Sequence, residues 1–284
     1  MMNSRLLQEI VTSNRWSVVS GQGSTAVHRL LFTVYCLLIT LFISGCAKID
    51  DTWQHLQNDG VPLRVGIDPT YPPFAVADSN DVWGLDVDLA RAIGEELDVP
   101  VQFVYFGFDG LYDALLTEQV DVLISALVVN VGRTGDFAYS DPYFNAGEVL
   151  VVRAAESEIK GWRDLNGRIL AVELGSQGHM EANRWARRLA DLTVQSCDTP
   201  DAALQAVALG QSDAALIDNA SARLFQKENP STPLQRLPDP VTVQPYAMVV
   251  RKTDQRLLNH LNDSLEQLQK SGQLDVLLAK WLGE

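Results

Sequence analysis

Two residues of opposite charge each follow an apolar, strand-like run in this chain. Arg133 comes four residues after the run Val122–Val129, and Asp218 directly follows the run Ala214–Ile217. A guanidinium group can clamp a carboxylate or phosphate with two parallel hydrogen bonds. A carboxylate at the end of a buried strand needs a cationic partner, because burying it unpaired is costly. Ligands of open α/β sheets bind at the carboxyl ends of strands, so the pair predicts a site for a zwitterion such as an α-amino acid.

A short glycine-rich turn is the third candidate feature. Gly175-Ser176-Gln177-Gly178 lies between a predicted strand and a predicted helix, where unpaired backbone N–H groups can face an anion. Each of the three features also has a simpler interpretation. Arg133 could be a solvated loop arginine, Gly175 could close a turn, and Asp218 could cap a helix.

The elements that would position these residues alternate between strand and helix. The first series runs from the strand Leu63–Ile67 through an amphipathic helix, Leu85–Leu97, to the strand Val101–Tyr105, the helix that starts at Leu111 and the strand Val120–Val129. A second series of the same kind follows it. This alternation predicts an α/β protein with mostly parallel sheets.

Composition excludes several classes of function. The chain has 284 residues, enough for two domains, with 46% hydrophobic residues and a net charge of −14. No Lys/Arg cluster is present, so no nucleic-acid partner is predicted. His55, His179 and His260 lack the spacing of metal ligands, and there is no phosphate-binding loop, so we expect neither a metal nor a cofactor.

The N-terminal region has the pattern of an export signal. The apolar segment Leu30–Ile43 is shorter than a membrane span, and the quartet Ile43-Ser44-Gly45-Cys46 resembles a bacterial lipobox. The resemblance implies a lipoprotein signal peptide over 1–45, lipidation of Cys46, a tether over 46–60 and an extracytoplasmic protein anchored to a membrane. An uncleaved anchor helix is the alternative. Only Cys197 remains beyond the anchor, so no disulfide framework is expected.

Residues 63–284 resemble the extracytoplasmic solute-binding proteins, family 3, of polar amino acid ABC transporters. The resemblance implies a type II periplasmic-binding-protein fold: two lobes, each a mostly parallel sheet flanked by helices, joined by a two-strand hinge. Lobe 1 would comprise residues 61–142 plus 247–284, and lobe 2 residues 143–246. The markers, whose order and spacing are specific, are Tyr71-Pro72-Pro73-Phe74, Gly84–Leu89, Asp109-Gly110-Leu111, Val120-Asp121, Arg133, Phe137–Tyr143, Asp213-Ala214, Asp218 and Lys280-Trp281.

The resemblance also implies roles for individual residues. Arg133 would bind the ligand α-carboxylate together with the amides around Ser176 and Gln177, and Asp218 would bind the α-ammonium. Three further positions, Asp68, Tyr71 and Phe108, would line the pocket, with the aromatic rings enclosing the ligand side chain. Glu173 occupies a position that varies with ligand preference.

Two positions that would also line the site depart from the family pattern. Ala126 replaces a usual glycine, and Val128 replaces a Ser or Thr whose hydroxyl group would bind the ammonium. Losing one hydrogen bond to a charged group costs roughly 1.5–3 kcal/mol. Two carboxylates, Asp68 and Glu173, could face one distal group, so we hypothesise a ligand with a cationic or amide side chain, such as arginine, lysine, ornithine or glutamine. Alternatively, Glu173 could pair with an arginine of the protein.

The function that follows is binding of an amino acid-like solute by a monomer and its delivery to an ABC permease, without catalysis. One alternative is an enzyme, because cyclohexadienyl dehydratases resemble this family. Their acidic residue after the Asp218 position is missing here, where Asn219, Ala220 and Ser221 follow. The other alternative is a ligand sensor that signals to a partner protein in trans.

Overall fold

The computed structural model describes residues 52–156 and 158–283, so the predicted signal peptide and Cys46 lie outside the described residues. The helices are α1 (Thr52–Asp59), α2 (Leu85–Leu97), α3 (Leu111–Leu116), α4 (Gln177–Ala186), α5 (Pro200–Ala208), α6 (Asn219–Glu228), α7 (Gln255–Lys270) and α8 (Gln273–Leu282). The strands are β1 (Leu63–Ile67), β2 (Thr70–Tyr71), β3 (Ala75–Ala77), β4 (Val82–Trp83), β5 (Val101–Tyr105), β6 (Val122–Leu123), β7 (Phe137–Asn145), β8 (Glu148–Arg153), β9 (Ile169–Glu173), β10 (Thr193–Cys197), β11 (Ala214–Asp218), β12 (Leu234–Arg236) and β13 (Pro245–Arg251).

Two five-stranded sheets of matching design form the two lobes. The sheet of the first lobe has the order β5-β1-β6-β13-β7, and that of the second lobe has the order β10-β9-β11-β8-β12. In each sheet one strand runs against the others: β13 in the first and β8 in the second. Each sheet is therefore mostly parallel, as predicted. The reversed strands, β13 and β8, are the ones that the chain enters directly after crossing from one lobe to the other.

The two crossings between the sheets lie side by side. The chain leaves the first sheet at Asn145 and enters the second at Glu148, and it returns at Pro245. Ala146 donates its N–H to the Gln244 carbonyl at 2.9 Å. A Cβ atom on Gly147 would lie 1.9 Å from the Thr242 carbonyl oxygen, so only glycine allows this close approach of the two crossings.

The predicted lobe boundaries at 142/143 and 246/247 fall inside strands. β7 and β13 continue to pair as far as Asn145 and Pro245, so the first sheet keeps residues 143–145 and already includes residues 245 and 246. The backbone leaves this ladder at the glycine-containing crossing 146–147 and in the segment before Pro245.

The third predicted strand is shorter than its apolar run. Only Val122–Leu123 pairs as β6, although Val122–Leu127 is buried throughout. Ala126 has a left-handed backbone with φ 48°, which breaks the extended conformation that a strand needs. The apolar character of the run reflects the burial of the loop that follows β6.

The N-terminal helix α1 packs on the first lobe over part of the predicted tether. Leu56 is buried in the core of that lobe, and the ring of Trp53 stacks on His260 of α7 with centroids 3.9 Å apart. Residues 52–59 of the predicted tether 46–60 are thus held against the fold. None of the helices in the described part of the chain combines the length and apolar character that a membrane span requires.

Candidate functional site

A buried carboxylate holds the loop that leads to Arg133. Asp86, in the first turn of α2, accepts hydrogen bonds from the Ala126 N–H at 2.7 Å and from the Tyr143 hydroxyl at 2.8 Å. Burial raises the pKa of Asp86 to about 7, and the two hydrogen bonds oppose that rise. The predicted site residue Ala126 is buried, and its N–H contact with Asp86 holds the loop that leads to Val128 and Arg133.

Arg133 ends a short 3₁₀ turn, Val131–Arg133, and its side chain is exposed. The guanidinium carbon lies 4.3 Å from the ring centre of Tyr112, a cation–π contact that leaves the edge of the guanidinium available to an anion. Within the described residues Arg133 makes no ion pair, although the chain as a whole is strongly acidic.

Three predicted pocket residues of the first lobe lie after strand ends. Asp68 follows β1 and is buried, and its Oδ1 accepts hydrogen bonds from the N–H and the hydroxyl of Thr70 at 3.1 and 2.7 Å. Tyr71 stacks on Phe74, with centroids 5.3 Å apart, yet remains 50% exposed. Phe108 is 57% exposed. Two aromatic rings this exposed offer apolar surface to a ligand.

Val128 and Tyr246 lie where the first lobe approaches Asp218 of the second lobe. Val128 is exposed and forms an isolated β-bridge with Tyr246 of β13. The pKa of the Tyr246 hydroxyl is raised, first by burial, then by the neighbouring Tyr71 and by the carboxylate of Asp218. Tyr246 therefore lies near both Tyr71 and Asp218, which brings these two predicted site residues to the same region.

Asp218 ends β11 and caps α6. Its Oδ1 accepts a hydrogen bond from the Ser221 N–H at 2.9 Å, the capping role that the sequence left open. The other carboxylate oxygen, Oδ2, makes no hydrogen bond within the described part of the chain. Capping uses one oxygen only, so it is compatible with ligand binding by the other.

Two further carboxylates lie close to Asp218. Glu173 ends the neighbouring strand β9, and its pKa is raised by burial and by Asp218. Glu148 faces Asp218 directly in the antiparallel register of β8 and β11. Burial raises the pKa of Glu148 to about 7, with further contributions from Asp218 and Glu173. Across the described residues, none of the three makes an ion pair with a lysine or arginine.

The glycine-rich turn lies between β9 and α4, as predicted. Some of its backbone N–H groups already have acceptors within the protein, and others do not. Ser176 caps α4 by accepting the His179 N–H at 3.0 Å, and its own N–H donates to the Glu173 carbonyl at 3.2 Å. The side-chain oxygen of Gln177 accepts a hydrogen bond from Gln244 of the returning crossing. The backbone N–H of Gln177, in the first turn, therefore remains for an anion, whereas that of Gly178 faces the Glu148 carboxyl group.

The structure thus brings together Tyr71, Val128, Asp218 and Glu173 around Tyr246 and the crossings, whereas Arg133 contacts Tyr112. Sequence reasoning missed Asp86, Glu148 and Tyr246. Asp86 gave a signal, since it is an acidic residue on the apolar face of an amphipathic helix. The other two gave none, because their importance depends on which strands pair.

The region beyond residue 62 matches a known family over its whole length. The model of the bacterial extracellular solute-binding proteins, family 3, matches residues 63–284. The chain belongs to this family. It is 29% identical to the L-cystine-binding protein TcyJ of Escherichia coli (strain K12) over 224 residues, which is 78% of this chain and 82% of that protein.

Solved structures agree with this assignment. An ancestral cationic amino acid solute-binding protein, AncCDT-1, is 32% identical to this chain and has a TM-score of 0.62. The match covers 81% of this chain and 99% of the other. The L-cystine solute receptor of Neisseria gonorrhoeae, in its unliganded open conformation, has a TM-score of 0.73 at 24% identity, covering 82% and 97%. The predicted family and fold class are confirmed, and this chain is an extracellular solute-binding protein of family 3.

Proposed function

We propose that the chain binds an α-amino acid with a cationic or amide side chain between its two lobes and delivers it to an ABC permease. The observation that carries the proposal is the cluster of Asp218, Glu173 and Glu148, which has no basic partner among the described residues. A positive charge stabilises an acidic cluster that is buried or half-buried, and a ligand ammonium or guanidinium group provides one.

Arg133 supplies the opposite charge. Its exposed guanidinium and the N–H group of Gln177 suit the α-carboxylate, while Tyr71 and Phe108 suit the aliphatic part of a side chain. A cystine-binding relative and an ancestral cationic amino acid-binding protein support an amino acid ligand. The cluster of three carboxylates favours a ligand with a cationic side chain.

A thermal-shift panel of amino acids, applied to protein freed of carried-over ligand, tests the ligand class. Arginine, lysine, ornithine or glutamine should raise Tm. If only acidic or apolar amino acids raise it, the ligand class is wrong.

Arg133→Ala tests the proposed carboxylate contact. The variant should lose calorimetric binding, because removing one partner of a charged pair costs about 2–5 kcal/mol, enough to weaken Kd by at least thirtyfold. Arg163→Ala is a matched control, since Arg163 also lies in a 3₁₀ turn, Trp162–Leu165, and its guanidinium carbon lies 4.8 Å from the ring centre of Trp162. Equal binding by wild type and Arg133→Ala would contradict the assignment.

We also propose that the protein is not an enzyme and that it is tethered through Cys46. Asn219 donates to the Asn145 carbonyl and accepts from Arg236, so no carboxyl acid occupies the dehydratase position. Product formation from prephenate or arogenate would contradict the first statement. A mature N-terminus without a lipid on Cys46, seen by mass spectrometry of the cell-derived protein, would contradict the second.

A further inference from the structure

Glu148 is a buried acidic side chain whose charge nothing in the described residues balances. It begins β8, immediately after the crossing from the first lobe, and only 5% of its surface is exposed. Its backbone N–H donates to the Thr242 hydroxyl at 2.8 Å, but its Oε2 has no hydrogen-bond partner. Such an unpaired buried atom is rare in native proteins and calls for an explanation.

The position of this oxygen is defined by the start of α4. A Cβ atom on Gly178 would lie 2.7 Å from Glu148 Oε2, so the absence of a side chain at residue 178 makes room for the carboxyl group. The N–H of Gly178 and the positive end of the helix favour the ionised form, although the N–H does not complete a hydrogen bond to Oε2.

Two carboxylates oppose that ionisation. Glu148 and Asp218 are direct partners across β8 and β11, so their side chains emerge on the same face of the sheet. Glu173 ends β9 on the far side of β11. Burial and these two negative charges together raise the pKa of Glu148 to about 7.

Two basic side chains on the elements around Glu148 are already engaged. Arg236 of β12 donates to Gln226 and to Asn219, at 2.8 and 3.0 Å. His179 of α4 accepts the Gly175 N–H at 3.1 Å. The negative charge of Glu148 must therefore be removed by a proton or balanced by a group that enters the cleft.

We propose that Glu148 carries a proton in the ligand-free protein and releases it to solvent when a cationic group of the ligand settles beside Asp218. This inference rests on the proposed function and adds a residue and a coupling to it. The ligand arrives already charged, so the O–H bond of Glu148 is the only bond broken and one proton leaves. Binding then becomes weaker as the pH falls.

The size of the effect follows from the fraction of Glu148 that is ionised. If the ligand binds only the ionised form, the apparent Kd is the intrinsic Kd divided by that fraction. For a group that titrates near pH 7, Kd should be about tenfold weaker at pH 6 than at pH 8 and nearly constant above pH 8.

Calorimetry with L-arginine, and with L-glutamine as the counterpart with a neutral side chain, tests the coupling between pH 5.5 and pH 8.5. Both probes carry the α-ammonium, so both should show the pH slope. Titrations at pH 7 in buffers with different ionisation enthalpies should count about half a proton released per ligand bound. This count uses the wild-type protein and needs no variant.

Glu148→Gln resembles the neutral carboxyl group in shape, so it should fold, as its Tm will show. Its Kd should not vary with pH and should be at least as weak as the wild-type value at the lowest pH of the series, because the variant has no ionised form. Glu173→Gln is the matched control, because it removes a neighbouring charge but leaves Glu148 in place. It should retain the slope with the midpoint moved to lower pH.

The outcomes separate this inference from the proposed function. A wild-type Kd that is constant from pH 8 to pH 6, or a Glu148→Gln variant that keeps the slope, overturns the inference alone. If neither probe nor any other amino acid binds the wild type at any pH, the proposed function fails, and the inference fails with it.

Discussion

At the scale of single residues, the site combines ordinary structural roles with binding roles. Asp218 caps α6 with one oxygen and leaves the other available, and Ser176 caps α4 with its hydroxyl while its N–H is already used. A residue that serves the fold in this way is held in one orientation before a ligand arrives. Such preorganisation lowers the entropic cost of binding.

Val128→Thr should strengthen binding of the amino acid ligand. The exposed valine forms a β-bridge with Tyr246, at a position where the family resemblance implies a hydroxyl group, and threonine has nearly the same shape. A hydrogen bond to a charged ammonium is worth roughly 1.5–3 kcal/mol, so Kd should fall by about tenfold or more. Val131→Thr, at a valine of the same loop that is 83% exposed, is the calorimetric control and should change nothing. An unchanged Kd for Val128→Thr would place the ammonium elsewhere.

At the scale of elements, the helix α2 and the loop after β6 behave as one unit because Asp86 joins them. The carboxyl group has a pKa of about 7 in the folded protein, against 3.8 as its ordinary value. The folded state therefore holds a proton that the unfolded state has lost between about pH 4 and pH 7. The contribution of Asp86 to stability is fully present at the lower end of this window and is lost as the pH rises through it.

Asp86→Asn should reduce this loss, because asparagine does not ionise. Between pH 5 and pH 8 the free energy of unfolding should fall by a few kcal/mol less in the variant than in wild type. Urea unfolding of the ligand-free proteins at both pH values measures the difference. Asp98→Asn, an exposed residue with φ 55° after the other end of α2, should keep the wild-type dependence, since asparagine tolerates a left-handed backbone. A parallel pH profile for Asp86→Asn and wild type would contradict the prediction.

Elements with a clear apolar period were predictable from sequence, and pairings between distant segments were not. The bounds of β1, α2 and β5 agree with the periodicity, because each element carries its own pattern of burial. The run Val120–Val129 misled, since a buried loop anchored by Asp86 is as apolar as a strand. The importance of Glu148 was not predictable, because it arises from the register between β8 and β11.

At the scale of the whole molecule, α6 connects the candidate site to helix α8 of the first lobe. Its N-terminal cap is Asp218, while Ala220 and Leu224 pack in the core of the first lobe. Near its C-terminal end, Lys227 donates from Nζ to the carbonyl groups of Lys280 and Trp281 in α8, at 2.6 and 3.2 Å. These contacts join the second lobe to the first while Tyr71 and Phe108 remain exposed.

Lys227→Met should therefore make ligand binding tighter. Lobes that close on a ligand move relative to one another, so a contact specific to the ligand-free arrangement opposes closure. A lysine at a helix C-terminus contributes about 0.3–1 kcal/mol, so its removal should lower Kd by about two- to fivefold. Lys270→Met is the control, because Lys270 pairs with Glu266 inside α7 at 2.7 Å and contacts one lobe only. An unchanged Kd for Lys227→Met would contradict the prediction. It would mean that α6 and α8 move together on closure, with the hinge wholly within the two crossings.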